Sequence, residues 1–397
     1  MFSTDLNSLK CPACRNENIK VVDHFKYRDF DGSLFNIEAD LGACGGCGFV
    51  RVGVPFDDEQ ISVHYACHSL YNSLGGVGVG GSTAEDIVRY RQYLSILDGI
   101  EERSESIADI GCSNGGFLKY LRDNSRRGKK LTGIDVDMRA LSSLEGIDAV
   151  QGNARNLNLA DDSLDLAFYT HVIEHILDID GVLSEMTRVV SKDGHVLIEV
   201  PDATGYSESR VHDFYWIGMK EHVNHFTPKS LCCALHRHGI EVRRVARSKF
   251  PVRGGVYYPS LIVLAKVVKK KELEPWAMES GDPSWLPQHM SREREFAAKT
   301  RHNLEAFLSH AGKPVVWGIG LEYFNLLALD VLPVDYAAML VDSNLAKQSQ
   351  TVSGSPVLAP SLAPLGKPLI CMAPLSWLPI VEQACALGFD KKEIFCI

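Results

Sequence analysis

Apolar and polar positions follow two different rhythms along this chain. Residues 21–43 (VVDHFKYRDFDGSLFNIEADLGA) are strand-like, with a turn expected at Asp31–Gly32. From about residue 83 the pattern turns helical (TAEDIVRYRQYLSILDGI), and SIADIGCSNGGFLKYLRDN follows. There a short apolar strand ends at Asp109, a turn runs through Gly111, Ser113, Gly115 and Gly116, and a helix begins near Phe117. Lys129–Asp137 (KKLTGIDVD) reads as the next strand, with Asp135 at its carboxyl end. In GNARNLNLADDSLDLAFYTHVIEHI a third strand ends at Gly152–Ala154, and LDLAFYTHV is a fourth. Strand, glycine turn, helix and strand in that order form half of a doubly wound α/β sheet.

A second α/β unit occupies roughly the last hundred residues. Residues 289–313 read as a long amphipathic helix. PVVWGIGLEYFNLLALD then gives a strand, a glycine turn at Gly318 and Gly320, and a helix. AAMLVDSNLAKQSQTVSGSPV supplies a strand ending at Asp342, and KPLICMAP a later one. Glu322 and Tyr323 stand where a dinucleotide fingerprint requires small residues, so a substrate-facing or structural domain is expected.

At 397 residues the chain exceeds what one hydrophobic core organises. The expected division is 1–75, 76–270 and 271–397. A net charge of −9 argues against a general nucleic-acid binder, and the one basic run, KVVKKK (266–271), reads as a solvated domain edge. No apolar run has the length of a membrane span and MFSTDLNSLK has no signal-peptide core, so a cytoplasmic protein acting on a small molecule is expected. Oligomeric state is left open.

Of 11 cysteines, four have informative spacing: Cys11 and Cys14 in CPAC, Cys44 and Cys47 in CGGCG. Each C-x-x-C hook lets two thiolates reach one ion, and two hooks complete a tetrahedral sulfur shell suited to zinc. The competing reading is two unrelated redox motifs. A closed four-thiolate site has no position for substrate, so a structural zinc ribbon is expected, its metal stabilising a segment too short for a large core.

A glycine-rich turn by itself is shared with dehydrogenases. Here it reads D-x-G-x-S-x-G, and the acid two residues before the first glycine would repel a pyrophosphate but suits a cationic, amino-bearing ligand. With its four strand ends, this segment resembles the class I S-adenosylmethionine-dependent methyltransferases, with their Rossmann-like core. The resemblance implies that Asp109, Gly111, Ser113 and Gly115 form the methionine-side turn. It makes Asp135 the ribose acid, and Asn153 with Ala154 the adenine edge, the Asn153 side-chain oxygen accepting from the adenine amino group. His171, at the tip of the fourth strand, would face the transferred methyl. VIEH (172–175) is expected to serve helix-start packing.

Zinc ribbon, methyltransferase core and Rossmann-like tail, in that order, resemble the three-domain sugar C-methyltransferases that act on nucleotide-linked 4-keto-deoxysugars. The resemblance extends over nearly the whole chain, including RGG (253–255) and DSNLAKQSQTVSG (342–354). It implies a nucleotide sugar held between core and tail, and proton chemistry from a Tyr-x-Glu-His loop. This chain reads Met219-Lys220-Glu221-His222 there, so the glutamate and histidine match and the tyrosine does not. A carbon acceptor must lose a proton beside a carbonyl before it can attack a methyl sulfonium, and His222 is the expected base. Glu221 would hold substrate or imidazole, and Tyr65 or Tyr71 could replace the lost tyrosine. His225 is a second candidate proton carrier, though a histidine before an aromatic at a helix entrance is more often a packing residue. The tail also lacks the lysine the family carries near Glu322 and Tyr323. O-methylation of a sugar or other small polar metabolite is the rival reading, and a non-catalytic scaffold a remote one. The glycines of VGVGG (77–81) would permit a lid.

Overall fold

Fully buried runs such as Ile107, Ala108 and Ile110 demand a sheet covered on both faces, the condition of parallel α/β sheets. The computed structural model describes residues 6–15, 18–68, 81, 83–124, 128–208, 216–252, 256–269, 273, 283–309, 312–332 and 335–397. Tyr71, RGG (253–255) and most of VGVGG lie outside the described residues.

Strands β1 (Lys20–Tyr27), β2 (Ile37–Ala43) and β3 (Val50–Val52) precede the core. The core strands are β4 (Ser106–Ile110), β5 (Lys130–Asp135), β6 (Asp148–Gln151), β7 (Leu164–Thr170) and β8 (Val190–Pro201). After the short β9 (Asn224–His225) come β10 (Ile240–Val252) and β11 (Val256–Val267). The tail carries β12 (Val315–Trp317), β13 (Met339–Val341), β14 (Thr351–Val352), β15 (Ser355–Leu358), β16 (Leu369–Cys371) and β17 (Ile394–Cys396).

The central sheet has the order β10-β11-β8-β7-β4-β5-β6, parallel from β8 to β6 with β11 inserted antiparallel. The order reverses between β4 and β7, so their carboxyl ends flank the topological switch point, where such sheets bind ligands. Helix Ala84–Leu97 opens with a Thr83–Asp86 capping box and stops at Asp98, whose left-handed φ of 52° ends the spiral.

The sheet of the first segment has the order β1-β2-β3-β9, so its fourth strand comes from residues 224–225. The free edge of β3 pairs with it antiparallel, Val50 opposite His225 and Arg51 opposite Asn224. Val52 N donates to the Val223 carbonyl at 3.0 Å, and Thr227 Oγ1 to the Cys47 carbonyl at 2.7 Å. The MKEHVNHF loop is thereby built onto the cysteine-hook segment.

The tail sheet has the order β14-β15-β13-β12-β16-β17 and is parallel apart from β14. Ser353 and Gly354, both at positive φ, form the two-residue turn between β14 and β15. Asp31, at the tip of the β1–β2 connection, accepts from Thr351 Oγ1, Ser353 N and Gly354 N at 2.7–2.8 Å. Helix Trp285–Leu308 starts a turn earlier than the sequence pattern suggests, because Trp285 and Leu286 enter a core shared with Phe25, Trp216 and Phe324.

Candidate functional site: donor turn and histidine cluster

The turn after β4 is made by backbone that side chains would obstruct. Gly111 has φ +73°, and a Cβ there would meet Val172 Cγ2 at 2.6 Å; Gly115 has φ +66°, and a Cβ would meet Leu144 Cδ2 at 2.0 Å. Ser113, at φ 46°, donates its N–H to Asp135 Oδ2 at 2.8 Å, while Asp137 N donates to Asp135 Oδ1 at 2.9 Å. Burial raises the Asp135 carboxyl, and the Asp137 and Ser113 N–H bonds work against that rise. Asp109 is 3% exposed, and its Oδ1 has no hydrogen-bond partner among the described residues. Burial, then the nearby Asp135, push its carboxyl up to about 8. A ligand ammonium would supply the missing partner and charge.

Asn153 and Ala154 follow β6 as expected. The Asn153 oxygen already accepts from Arg155 N at 3.0 Å, and its amide donates to Ser62 Oγ at 2.8 Å. The side chain is thus fixed in place, with one lone pair of its oxygen left for a ligand.

His171 follows β7 in a left-handed conformation (φ 57°). Its Nδ1 lies 2.9 Å from Glu174 Oε1 and 3.1 Å from the Tyr258 hydroxyl, and its Nε2 lies 3.5 Å from Glu199 Oε1. Glu174 and Glu199 are both 0% exposed. Glu199 also accepts hydrogen bonds from Tyr93 and Ser260 and faces Arg89 at 3.9 Å.

His222 is 4% exposed, with its ring 4.7 Å from that of His175. His175 Nδ1 meets the Tyr65 hydroxyl at 2.7 Å and the Glu221 carbonyl at 3.0 Å, while its Nε2 lies 4.0 Å from Glu174 Oε1. Burial, then His175, His225 and His171, hold the His222 imidazole well below its usual pKa of 6.5, so it is neutral at pH 7, with its lone pair unprotonated but less basic than that of a free imidazole. His225 is also buried, with Nδ1 3.0 Å from the Tyr206 hydroxyl, and burial and His289 hold it at about 3. Lys220 pairs with Asp29 at 2.6 Å and lies over the Phe324 ring, fixing the loop to the first and last segments.

The structure therefore brings His171, His175, His222 and Tyr65 together. VIEH forms the short helical turn expected of it, and its side chains also reach the cluster. Glu174 lies between His171 and His175, and Asn224 Nδ2 ties this segment to the loop through the Ile173 and Ile176 carbonyls at 3.0 and 2.7 Å. What reaches His175 from Glu221 is its carbonyl. Glu174, His175 and Glu199 were missed by sequence reasoning; the H-x-x-E-H spacing of 171–175 was the available signal. Glu174, His175 and His222 place one ligand atom each within 4.8 Å of one another, a spacing that would also suit a cation. Two of the three already have partners: Glu174 takes His171, and His175 takes Tyr65 and the Glu221 carbonyl.

The four hook cysteines form a second cluster, buried, with ligand atoms all within 4.8 Å of one another. Sγ–Sγ separations are 3.6 Å for Cys11–Cys47 and for Cys14–Cys44. The hooks match: Arg15 N bonds the Cys11 carbonyl and Gly48 N the Cys44 carbonyl, each at 2.9 Å, with Arg15 and Gly48 both left-handed. Thiols this close cannot all ionise alone. Cys14 and Cys44 push Cys11 up, Cys47 is pushed up by the other three, and only Cys44 is drawn down, to about 7, chiefly by Cys11. The donor set fits a thiophilic divalent ion.

In the tail, Asp342 repeats the Asp135 arrangement, accepting from Ile319 N and Asn344 N at 2.9 Å. Lys347 Nζ occupies it at 3.1 Å, so this acid is already paired.

The strand order and turn geometry are those of a Rossmann-like α/β core with its ligand-binding turn after β4. In agreement, residues 83–245 match the family described as a methyltransferase domain. A malonyl-[acyl-carrier protein] O-methyltransferase of Serratia marcescens is 26% identical over 147 residues, covering 35% of this chain and 56% of the relative. A ubiquinone/menaquinone biosynthesis C-methyltransferase of Campylobacter jejuni is 27% identical over 100 residues, covering 23% and 43%. The chain spans about half the length of the curated relatives it matches. A solved S-adenosylmethionine-dependent methyltransferase of Methanosarcina mazei is 18% identical, with 44% of this chain and 98% of that one covered and a TM-score of 0.37. No helix among the described residues is long and apolar enough to cross a membrane.

Proposed function

We propose that this protein transfers the methyl group of S-adenosylmethionine to a carbon of a nucleotide-linked 4-keto-deoxysugar. The observation that carries the reading is a buried, neutral histidine, His222, in one cluster with His171, which follows β7 beside the turn after β4. S-adenosylmethionine supplies an electrophilic methyl. Asp109 would hold the donor's ammonium, Asp135 its ribose hydroxyls, and Asn153 and Ala154 its adenine. His222 removes the proton beside the acceptor's carbonyl, and Tyr65, through His175, orients that ring. A zinc ion on Cys11, Cys14, Cys44 and Cys47 would be structural, fixing the segment on which the His222 loop is built.

A second reading has its own support: Met219 offers no proton, and an O-methyltransferase needs only a base for the acceptor hydroxyl. The two readings separate in one experiment. The protein is incubated with S-adenosylmethionine and a panel of nucleotide-linked 4-keto-sugars, and any new methyl is located by mass spectrometry and NMR. A methyl on the carbon beside the ketone, with acceptor C–H exchange in deuterated water, supports C-methylation. A methyl on oxygen, or donor binding without transfer, removes the keto-sugar assignment. His222→Asn should lower turnover by about 10²–10⁴-fold, as for a positioned base, with donor affinity unchanged in titration calorimetry.

A further inference from the structure

Glu174 and Glu199 are both 0% exposed, but only one of them has a permanent cation beside it. Glu199 faces Arg89 at 3.9 Å, whereas no lysine or arginine among the described residues lies within 4.0 Å of the Glu174 carboxylate. Glu174 faces imidazoles instead: its Oε1 lies 2.9 Å from His171 Nδ1 and 4.0 Å from His175 Nε2. Its Oε2 is buried with no hydrogen-bond partner among the described residues, and so is His222 Nδ1. Each such atom is costly to bury, and two of them in one cluster point to a ligand that meets both. His175 is already held as a ligand would be. Its Nδ1 meets the Tyr65 hydroxyl at 2.7 Å and the Glu221 carbonyl at 3.0 Å. A carbonyl only accepts, so Nδ1 carries the proton and Nε2 the lone pair. Metal-binding histidines are oriented in this way, by giving the other N–H to a backbone carbonyl or carboxylate. Glu174 is likewise steadied at Oε1 by His171, which leaves Oε2 available. Donors about 2.1 Å from a tetrahedral ion are about 3.4 Å apart. A cluster whose ligand atoms lie within 4.8 Å of one another therefore closes on an ion by side-chain shifts of about an ångström. The His175 side chain, 20% exposed, gives the way in from solvent.

We propose that Glu174, His175 and His222 bind one divalent ion of the zinc class, separate from the four-cysteine cluster, and that this ion and the acceptor exclude each other at His222. Two imidazoles and a carboxylate suit zinc, cobalt or ferrous iron and disfavour magnesium and calcium. Three protein donors leave a fourth position to water. A neutral imidazole has one lone pair, so the ring that coordinates the ion cannot also take the acceptor's proton. The exclusion rests on the methyl-transfer reading above; the binding site stands on the geometry of the three side chains.

The test is a cobalt titration of the full-length protein with zinc already on its cysteine hooks, followed by kinetics on a keto-sugar acceptor. One cobalt per chain should bind with the weak visible bands of a nitrogen and oxygen site, and without near-ultraviolet thiolate charge transfer. His222→Asn and Glu174→Gln should each weaken that binding about tenfold or more, while hook zinc and donor affinity are retained. Magnesium should not compete. Added zinc should lower turnover about 10²-fold or more, as loss of the base would, and a chelator too weak to empty the hooks should restore it. If one variant does not fold, the other and the wild-type spectrum carry the test. Cobalt bound only with thiolate charge transfer, no cobalt bound at all, as for a cluster bridged by water, or binding unmoved in the variants overturns the site. Zinc held there at full turnover overturns the exclusion. Donor binding without methylation of any keto acceptor instead overturns the reading beneath it, and the cobalt spectrum with the variants still decides the site.

Discussion

Asp109 shows how a single buried carboxyl couples ligand binding to pH. Its carboxyl titrates at about 8 in the folded protein because burial and Asp135 oppose its charge. An ammonium seated against it favours the ionised form, so binding should release a proton at neutral pH. Affinity for S-adenosylmethionine should therefore tighten by about tenfold per unit as pH rises from 6 toward 8, then level off. Calorimetry in buffers of different ionisation heat reads both affinity and proton release. Asp109→Asn should abolish the slope and weaken binding. A second pH effect concerns folding. The His171 pKa is raised to about 9 from 6.5, so its contribution is complete below 6.5 and lost as pH rises through 9. Glu199 is lowered to about 2 from 4.5, because Arg89 and His171 overcome its burial, so its contribution is complete above 4.5 and lost as pH falls through 2. Their combined stabilisation should be greatest between pH 4.5 and 6.5. Denaturation midpoints across pH should flatten at both ends in a His171→Asn, Glu199→Gln double variant. Asp109 and Asp135 were legible in the sequence because strand-end position fixes them. Glu174 and His175 were not, because their partners Tyr65, Glu199 and His222 are distant in the chain and only the fold brings them near.

Among elements, β3 and β9 are the informative pair. β9 has two residues and no strand signature of its own; it exists because β3 leaves an edge unpaired. No periodicity could have revealed it, whereas β4, β5 and β7 were plain from their apolar runs. Helix Pro228–Arg237 anchors the end of this loop. Thr227 caps it in a box with Ser230, and the same hydroxyl bonds the Cys47 carbonyl. Thr227→Val should cost about 1–2 kcal/mol, a buried cap plus one cross-segment bond, read as a lower chemical-denaturation midpoint. Exchange protection should fall at Val223–His225 before it falls in β4 or β5. The Asp31 clasp on the β14–β15 turn was likewise half visible: both turns were readable, their contact was not.

At the scale of the molecule, three sheets meet through side chains that belong to none of their centres: Asp31, Lys220 and the loop before Thr227. The order of the three pieces could be read from the chain, since hooks, glycine turns and strand ends are local signals. Their convergence on one loop could not. Cys14→Ser, or metal extraction with a thiol-reactive chelator, should remove one equivalent of bound zinc by elemental analysis. It should also raise exchange at residues 44–52 and 219–227 together, with donor affinity retained because the turn at Asp109 rests on a different sheet.

The pairing of Val50 with His225 and Arg51 with Asn224 also sets a reading frame in space. Successive strand residues face opposite ways, so adding or deleting one residue between Cys47 and Val50 would slip the pairing by one and exchange the faces of Val50 and Arg51. Arg51 would lose the Leu177 carbonyl it bonds at 2.9 Å, just past the turn that carries Glu174 and His175, and the β9 edge would lose its pairing frame. An indel far from the histidines in sequence, and harmless to the donor turn, would reach them as surely as a substitution, so the spacing behind the second hook should tolerate exchange of residues but not a change of length.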